Sequence, residues 1–128
     1  MRHRFALSSI FAAAVTVGMV LSGAARAADG NASDGEEVFK KCRACHKVGP
    51  GANNSVGPPL NGIVGRKAGT IEGFKYSAAN QAAGEKGLVW TEEVLMTYLE
   101  NPLKFMPGTL MAFAGLKDEQ DRKDVIAY

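Results

Sequence analysis

Cys42-Arg43-Ala44-Cys45-His46 is the stretch whose reading decides the fold of this chain. Two thiols three positions apart can add across the two vinyl groups of one haem, and the adjoining imidazole then reaches the iron. The same spacing suits a redox-active dithiol or half of a zinc site. A zinc site needs further ligands, yet there is no third cysteine, and the one other histidine is His3 near the N-terminus. A dithiol or C-x-x-C disulfide of the thioredoxin kind belongs to a βαβ context, and no strand-rich pattern precedes Cys42. Covalent haem attachment is the reading that employs all three side chains.

Upstream, Met1-Arg2-His3-Arg4 is basic, residues 5–21 are apolar or small, and Ala25-Arg26-Ala27 places small residues where a signal peptidase reads. This pattern predicts a secretory signal peptide over residues 1–27 and a mature domain over 28–128. The apolar stretch approaches bilayer-spanning length, so an uncleaved membrane anchor is the alternative. The Ser8-Ser9 interruption, the alanine-rich middle and the A-x-A site favour cleavage and export to the periplasm. Export suits covalent haem attachment, which in bacteria occurs outside the cytoplasm.

Removing the leader changes two inferences. Arg2, Arg4 and Arg26 leave with it, so the formal +2 becomes 12 basic against 13 acidic residues, and no case for a nucleic-acid partner survives. His3 leaves as well, making His46 the sole mature histidine and excluding two imidazoles on one iron. The sixth position then falls to methionine, lysine, another weak donor or nothing. Met96 lies in a helical stretch and reads as packing. Met106 and Met111 lie in a Pro/Gly loop whose backbone can approach a ring closely, and composition does not choose between them.

Ser33-x-x-Glu36 reads as a capping box that opens a short helix running to about Lys41. Residues 47–73 are rich in Gly, Pro and Asn and lack periodicity, a loop so long that something else must organise it. A large apolar cofactor would do so. Ser77 is read as capping a short helix to near Gly84. Thr91 caps another, with Glu92 and Glu93 in its first turn and Val94, Leu95, Tyr98 and Leu99 on one face. Asn101-Pro102 ends it, and Asp118 opens a last helix that reaches Tyr128. The expected fold class is all-α, short helices joined by long loops, with no repeats and no strands.

From about Asp34 to Tyr128 the chain resembles the class I cytochromes c of the mitochondrial-like bacterial group. The resemblance rests on Cys42-x-x-Cys45-His46, Gly57-Pro58-Pro59-Leu60-Asn61-Gly62, Gly65-Arg66-Lys67 and Gly73-Phe74-Lys75-Tyr76. It continues through residues 95–102 (LMTYLENP) and 107–115 (PGTLMAFAG), in matching order and spacing. The resemblance implies the class I cytochrome c fold around one haem c. It implies axial ligation by His46 and Met111, with Met106 a core residue. The Pro58 carbonyl would accept from His46 Nδ1–H. Tyr76 and Trp90 would donate to a haem propionate, with Arg66 nearby offsetting buried charge. Asn80, Tyr98 and Thr109 would form a polar cluster on the methionine side. Gly35 and Phe39 would meet Val125 and Tyr128 where the first and last helices cross.

The implied function is one-electron transfer by a monomeric periplasmic protein, with no substrate turned over at the iron. The donor would be a quinol-oxidising cytochrome complex, and the acceptor an oxidase, a photosynthetic reaction centre or a reductase. A haem peroxidase or gas-binding protein with an open sixth position is the rival, and Met111 argues against it. Two departures from the family pattern stand out. The last helix of the family runs another turn or two, so ending at Tyr128 implies a fragment or a less stable domain. Leu103 and Leu110 occupy positions where many relatives carry lysines around the haem edge. Lys40, Lys41, Lys47, Lys104 and Lys117 remain for a docking patch, so association is expected to be less salt-sensitive than in strongly basic relatives.

Overall fold

The first helix begins where one asparagine side chain offers its oxygen to two open amides. In the computed structural model, which describes residues 30–128, Asn31 Oδ1 accepts from the N–H groups of Ser33 and Asp34. The helix α1 is therefore Ala32–Phe39, capped by Asn31 and not by Ser33 as the capping-box pattern suggested. Asparagine caps as well as serine does, and Asp34 in the first turn suits the helix dipole. The signal peptide expected at residues 1–27 lies outside the described residues.

Four further helices follow: α2 at Ala78–Glu85, α3 at Glu92–Glu100, α4 at Pro102–Phe105 and α5 at Glu119–Ala127. Ser77, Thr91 and Asp118 cap α2, α3 and α5 through their side-chain oxygens, as their sequence context predicts. The short α4 was not expected. Pro102 stops α3 but also suits the first position of a helix, where its missing N–H costs nothing. Asn101 serves both ends, closing α3 and accepting from the Lys104 N–H at 3.1 Å. The described residues form no strand, only one antiparallel bridge between Lys67 and Val89. Backbone bonds from Ala68 N to Leu88 O (2.9 Å) and from Trp90 N to Arg66 O (2.9 Å) flank it and fix Trp90 beside the core. That core gathers Ala68, Trp90, Leu95, Tyr98 and Met106.

The closest helix pair is α1 with α5, and a glycine makes it close. A Cβ on Gly35 would lie 2.0 Å from the Asp124 carbonyl oxygen and 2.8 Å from Tyr128 Cβ. Beside that crossing Phe39 meets the Tyr128 ring at 5.5 Å between centroids, while Val125 lies at the wall of the cavity described below. The buried Arg122 donates from Nη1 to the carbonyls of Leu116 (2.7 Å) and Lys117 (3.0 Å), which ties α5 to the segment entering it. Past α1, tight turns carry the backbone on, and both Cys45 and His46 donate their N–H to the Cys42 carbonyl at 3.0 Å. The cysteines and the histidine thus sit on turns that continue from a helix braced by α5.

Asp124, only 6 % exposed, reaches from α5 to the start of α1. Its Oδ1 accepts the Asn31 N–H at 2.8 Å and the Gln120 side-chain amide at 2.9 Å. The Asn31 bond first, and the Gln120 bond second, hold its carboxyl below the ordinary range. A depressed carboxyl contributes fully above its unfolded value, and the contribution fades as pH falls through the folded value. Asp124→Asn keeps the shape and an acceptor but removes the charge. The variant is expected to melt below the wild type at neutral pH, with the gap closing as both are acidified through the carboxylate range. A gap in Tm that is constant with pH would contradict this.

Candidate functional site

A cavity of about 890 Å³ opens between the turn after α1, the loop of residues 47–69, and the loop after α4. All eleven residues singled out from the sequence line it: Cys42, Cys45, His46, Pro58, Arg66, Tyr76, Asn80, Trp90, Tyr98, Thr109 and Met111. The volume is at the upper end for small-molecule sites, and most of the wall is apolar.

On one side His46 Nδ1 lies 2.8 Å from the Pro58 carbonyl oxygen. A carbonyl can only accept, so this nitrogen carries the proton and Nε2 is left with its lone pair free. Two contacts hold the geometry. The Gly57 N–H donates to the Cys45 carbonyl at 2.8 Å. A Cβ on Gly57 would sit 2.4 Å from His46 Cε1, so only glycine lets the loop lie flat against the imidazole. Cys42 and Cys45 are not joined to each other. Burial raises the Cys42 thiol above its ordinary value, with Lys41 opposing.

Arg66, Tyr76 and Trp90 form a polar rim to the cavity. Arg66 donates from Nη2 to the Pro59 carbonyl (3.1 Å) and from Nη1 to the Asn61 carbonyl (3.3 Å), gripping the loop that carries Pro58. The Tyr76 hydroxyl accepts the Ile71 N–H at 3.0 Å, which leaves its proton to donate elsewhere. Trp90 is buried, its ring 4.7 Å from that of Tyr98.

On the methionine side the Tyr98 hydroxyl donates to Met111 Sδ at 3.3 Å, and the Met111 N–H donates to Thr109 Oγ1 at 3.2 Å. Burial raises the Tyr98 phenol, and its hydrogen bond with Thr109 opposes that. Asn80 is not tied into this cluster: its side-chain oxygen is buried without a partner. The loop is pinned beyond Met111, where the Leu116 N–H donates to the Leu99 carbonyl at 2.7 Å. Met106 lies in the core at 5 % exposure, beside the residues that pack Tyr98.

One apolar cavity therefore gathers two thiols, an imidazole with a free nitrogen, a thioether and an unpartnered amide oxygen. These suit a large, flat apolar group with a polar edge and an iron at its centre. Among the described residues no cluster of three or more His, Cys, Asp or Glu side chains could hold a metal. Residues 32–128 match the family model for cytochrome c. The chain belongs to the cytochrome c family.

Relatives of this cytochrome c include cytochrome c2 of Blastochloris viridis, 56% identical over 104 residues, covering 81% of this chain and 80% of that one. Cytochrome c2 iso-2 of Rhodospirillum centenum is 51% identical over 114 residues, covering 78% and 93%. Among solved structures, cytochrome c2 from Rhodospirillum centenum superposes with a TM-score of 0.74 at 50% identity, covering 77% of this chain and 95% of that one. The class I fold and the electron-transfer role of the family follow for this cytochrome, as does a covalently attached haem c. Cys42, Cys45 and His46 fit its attachment motif.

Sequence reasoning passed over two residues of the site. Gly57 and Asn61 stand in the Gly-Pro-Pro-x-x-Gly segment, where neither residue type announces a contact by itself. The signal was present in the two consecutive prolines, which strip the loop of N–H donors and shift the task of holding it to their neighbours.

Proposed function

We propose that this cytochrome is an exported, periplasmic one-electron carrier whose haem, attached through Cys42 and Cys45, is ligated axially by His46 and Met111. The observation that carries the reading is the pairing of polar contacts in one cavity: Pro58 orients the His46 ring, and Tyr98 with Thr109 orients Met111. Bound there, the haem supplies a one-electron iron couple. His46 presents Nε2 because Pro58 holds the proton on Nδ1. Met111 presents a soft thioether, which favours the ferrous state and raises the potential. Tyr98 holds that thioether by donating to it, so the ligand need not move on electron transfer. Tyr76, Trp90 and Arg66 line the same cavity and would receive the propionates; Asn80 lines it too, with its side-chain oxygen unpartnered. With His46 and Met111 both holding the iron, no position would be left open to a substrate, which fits a carrier rather than an enzyme.

Redox proteins are the partners: a quinol-oxidising membrane complex as donor, and an oxidase, photosynthetic reaction centre or reductase as acceptor. Charge segregation supports docking at the cavity mouth. Residues 38–71 and 101–117, which supply much of both walls, hold eight basic residues and no acidic one, whereas all the acidic residues lie elsewhere. Such a face is steered towards acidic surfaces. Leu110, 76 % exposed beside Met111, dilutes that face with an apolar side chain. Leu110→Lys is expected to raise the association rate with an acidic redox partner about twofold at low ionic strength and to steepen its fall with salt. Equal salt slopes for the two proteins would place Leu110 outside the docking surface.

Optical spectra of the purified protein in both oxidation states test the central reading. Covalent haem and a weak methionine–iron charge-transfer band in the oxidised form are expected. A spectrum without that band overturns the Met111 assignment and favours an open-site haem protein. An N-terminus at Ala28 is expected for the exported form, and one at Met1 for an anchored form.

A further inference from the structure

We infer that Asn61 is a positioning residue for the axial histidine, acting through the Pro58 carbonyl; the inference rests on the proposed ligation by His46. Between Gly57 and Leu60 the loop has no N–H to donate, because both intervening residues are proline. The carbonyl that orients His46 therefore sits on a segment that cannot anchor itself. The flanking groups anchor it. Upstream, the Gly57 N–H donates to the Cys45 carbonyl at 2.8 Å. Downstream, the Leu60 N–H donates to the Lys47 carbonyl at 3.0 Å.

Asn61 extends that downstream anchor by a second rung. Its Oδ1 accepts the Gly49 N–H at 2.7 Å, and its Nδ2 donates to the Gly49 carbonyl at 2.9 Å. One side-chain amide thus pairs with both polar groups of one residue, twelve positions away, as an adjacent strand would. Gly49 can offer both groups because it is left-handed, at φ +89°, with open space where a Cβ would be. The Asn61 backbone carbonyl meanwhile accepts from Arg66, which also grips the Pro59 carbonyl. Asn61 links the outer loop at Gly49 to the inner grip of Arg66, and the Pro58 carbonyl hangs between these ties and Gly57.

The consequence is electronic. A firm Nδ1–H···O=C bond raises the basicity of an axial imidazole and so favours the ferric state. Loosening the loop weakens that bond and favours the ferrous state. Asn61→Ala, and the nearly isosteric Asn61→Leu, are both expected to shift the ferric–ferrous equilibrium about threefold towards ferrous, from partial loss of one hydrogen bond. That is a rise of about 28 mV at 59 mV per tenfold for one electron. The His46 Nδ1 proton resonance of the reduced protein is expected to move with it and to exchange faster with solvent. Asn54→Ala serves as the control. It deletes another exposed tie across the loops, Asn54 Nδ2 to the Glu72 carbonyl at 2.9 Å, without touching the Pro58 segment. It is expected to lower Tm and leave the potential where it was.

If the Asn61 variants lose Tm but keep the wild-type potential and Nδ1 signal, Asn61 is loop glue alone and the inference fails. If the wild-type haem protein shows no hyperfine-shifted axial imidazole resonances when oxidised, the ligation by His46 itself fails. The two failures are therefore distinguishable.

Discussion

Met111→Ala is expected to lower the reduction potential by an amount on the order of hundreds of millivolts, out of the ≈ 0.8 V range that axial ligands command in haem proteins. A thioether is soft and stabilises the electron-rich ferrous ion; water entering in its place is hard and stabilises the ferric ion. The Tyr98 hydroxyl, left without its sulfur at 3.3 Å, would turn to that water and reinforce the change. Potentiometric titration reads the shift, and loss of the methionine charge-transfer band accompanies it. Met106→Leu is the paired control. Met106 is packed in the core with Trp90 and Tyr98, and a volume-conserving exchange there costs less than about 1.5 kcal/mol. Its potential and band should stay near those of the wild type. If the band vanishes from the Met106 variant and survives in Met111→Ala, the assignment of the two methionines is reversed.

Gly35→Ala is expected to destabilise the haem protein by about 3 kcal/mol or more, read from guanidinium unfolding. The added carbon would lie 2.0 Å from the Asp124 carbonyl oxygen, far inside any permitted contact. That oxygen cannot swing away cheaply, since it accepts the Tyr128 N–H at 3.0 Å in the last turn of α5. The helices must part instead, which loosens the Phe39–Tyr128 contact and the Asp124–Asn31 bond together. Alanine's better helix propensity returns only about 1 kcal/mol. Against a total stability of roughly 5–15 kcal/mol the loss is large. Glu36→Ala, one residue along on the exposed face, should change stability by less than about 0.5 kcal/mol. A Gly35→Ala protein as stable as the wild type would show that the two helices do not cross at this glycine.

Much of the helical framework was legible because its signals are short-range. A cap is a side chain bonding an amide two or three residues on, so Ser77, Thr91 and Asp118 declare themselves locally. The first cap was misplaced at Ser33 because its rival, Asn31, is an equally good cap, and its own N–H is fixed by Asp124, 93 positions away. The α4 turn escaped notice because proline says both "stop" and "start", and only the path of the chain selects between them.

Cys42, Cys45 and His46 stand within five consecutive residues, so the motif for covalent haem attachment was legible in the sequence alone. His46 is the only histidine of residues 28–128, so that stretch offers one imidazole and no second. The rest of the site depends on residues distant in sequence. That Tyr98 addresses the sulfur of Met111, that Gly57 must yield space to His46, and that Asn61 grips Gly49 became decidable only once the loops had closed on each other. The physical reason is range: attachment chemistry is written in adjacent side chains, whereas orientation comes from hydrogen bonds and close packing between segments brought together by the fold.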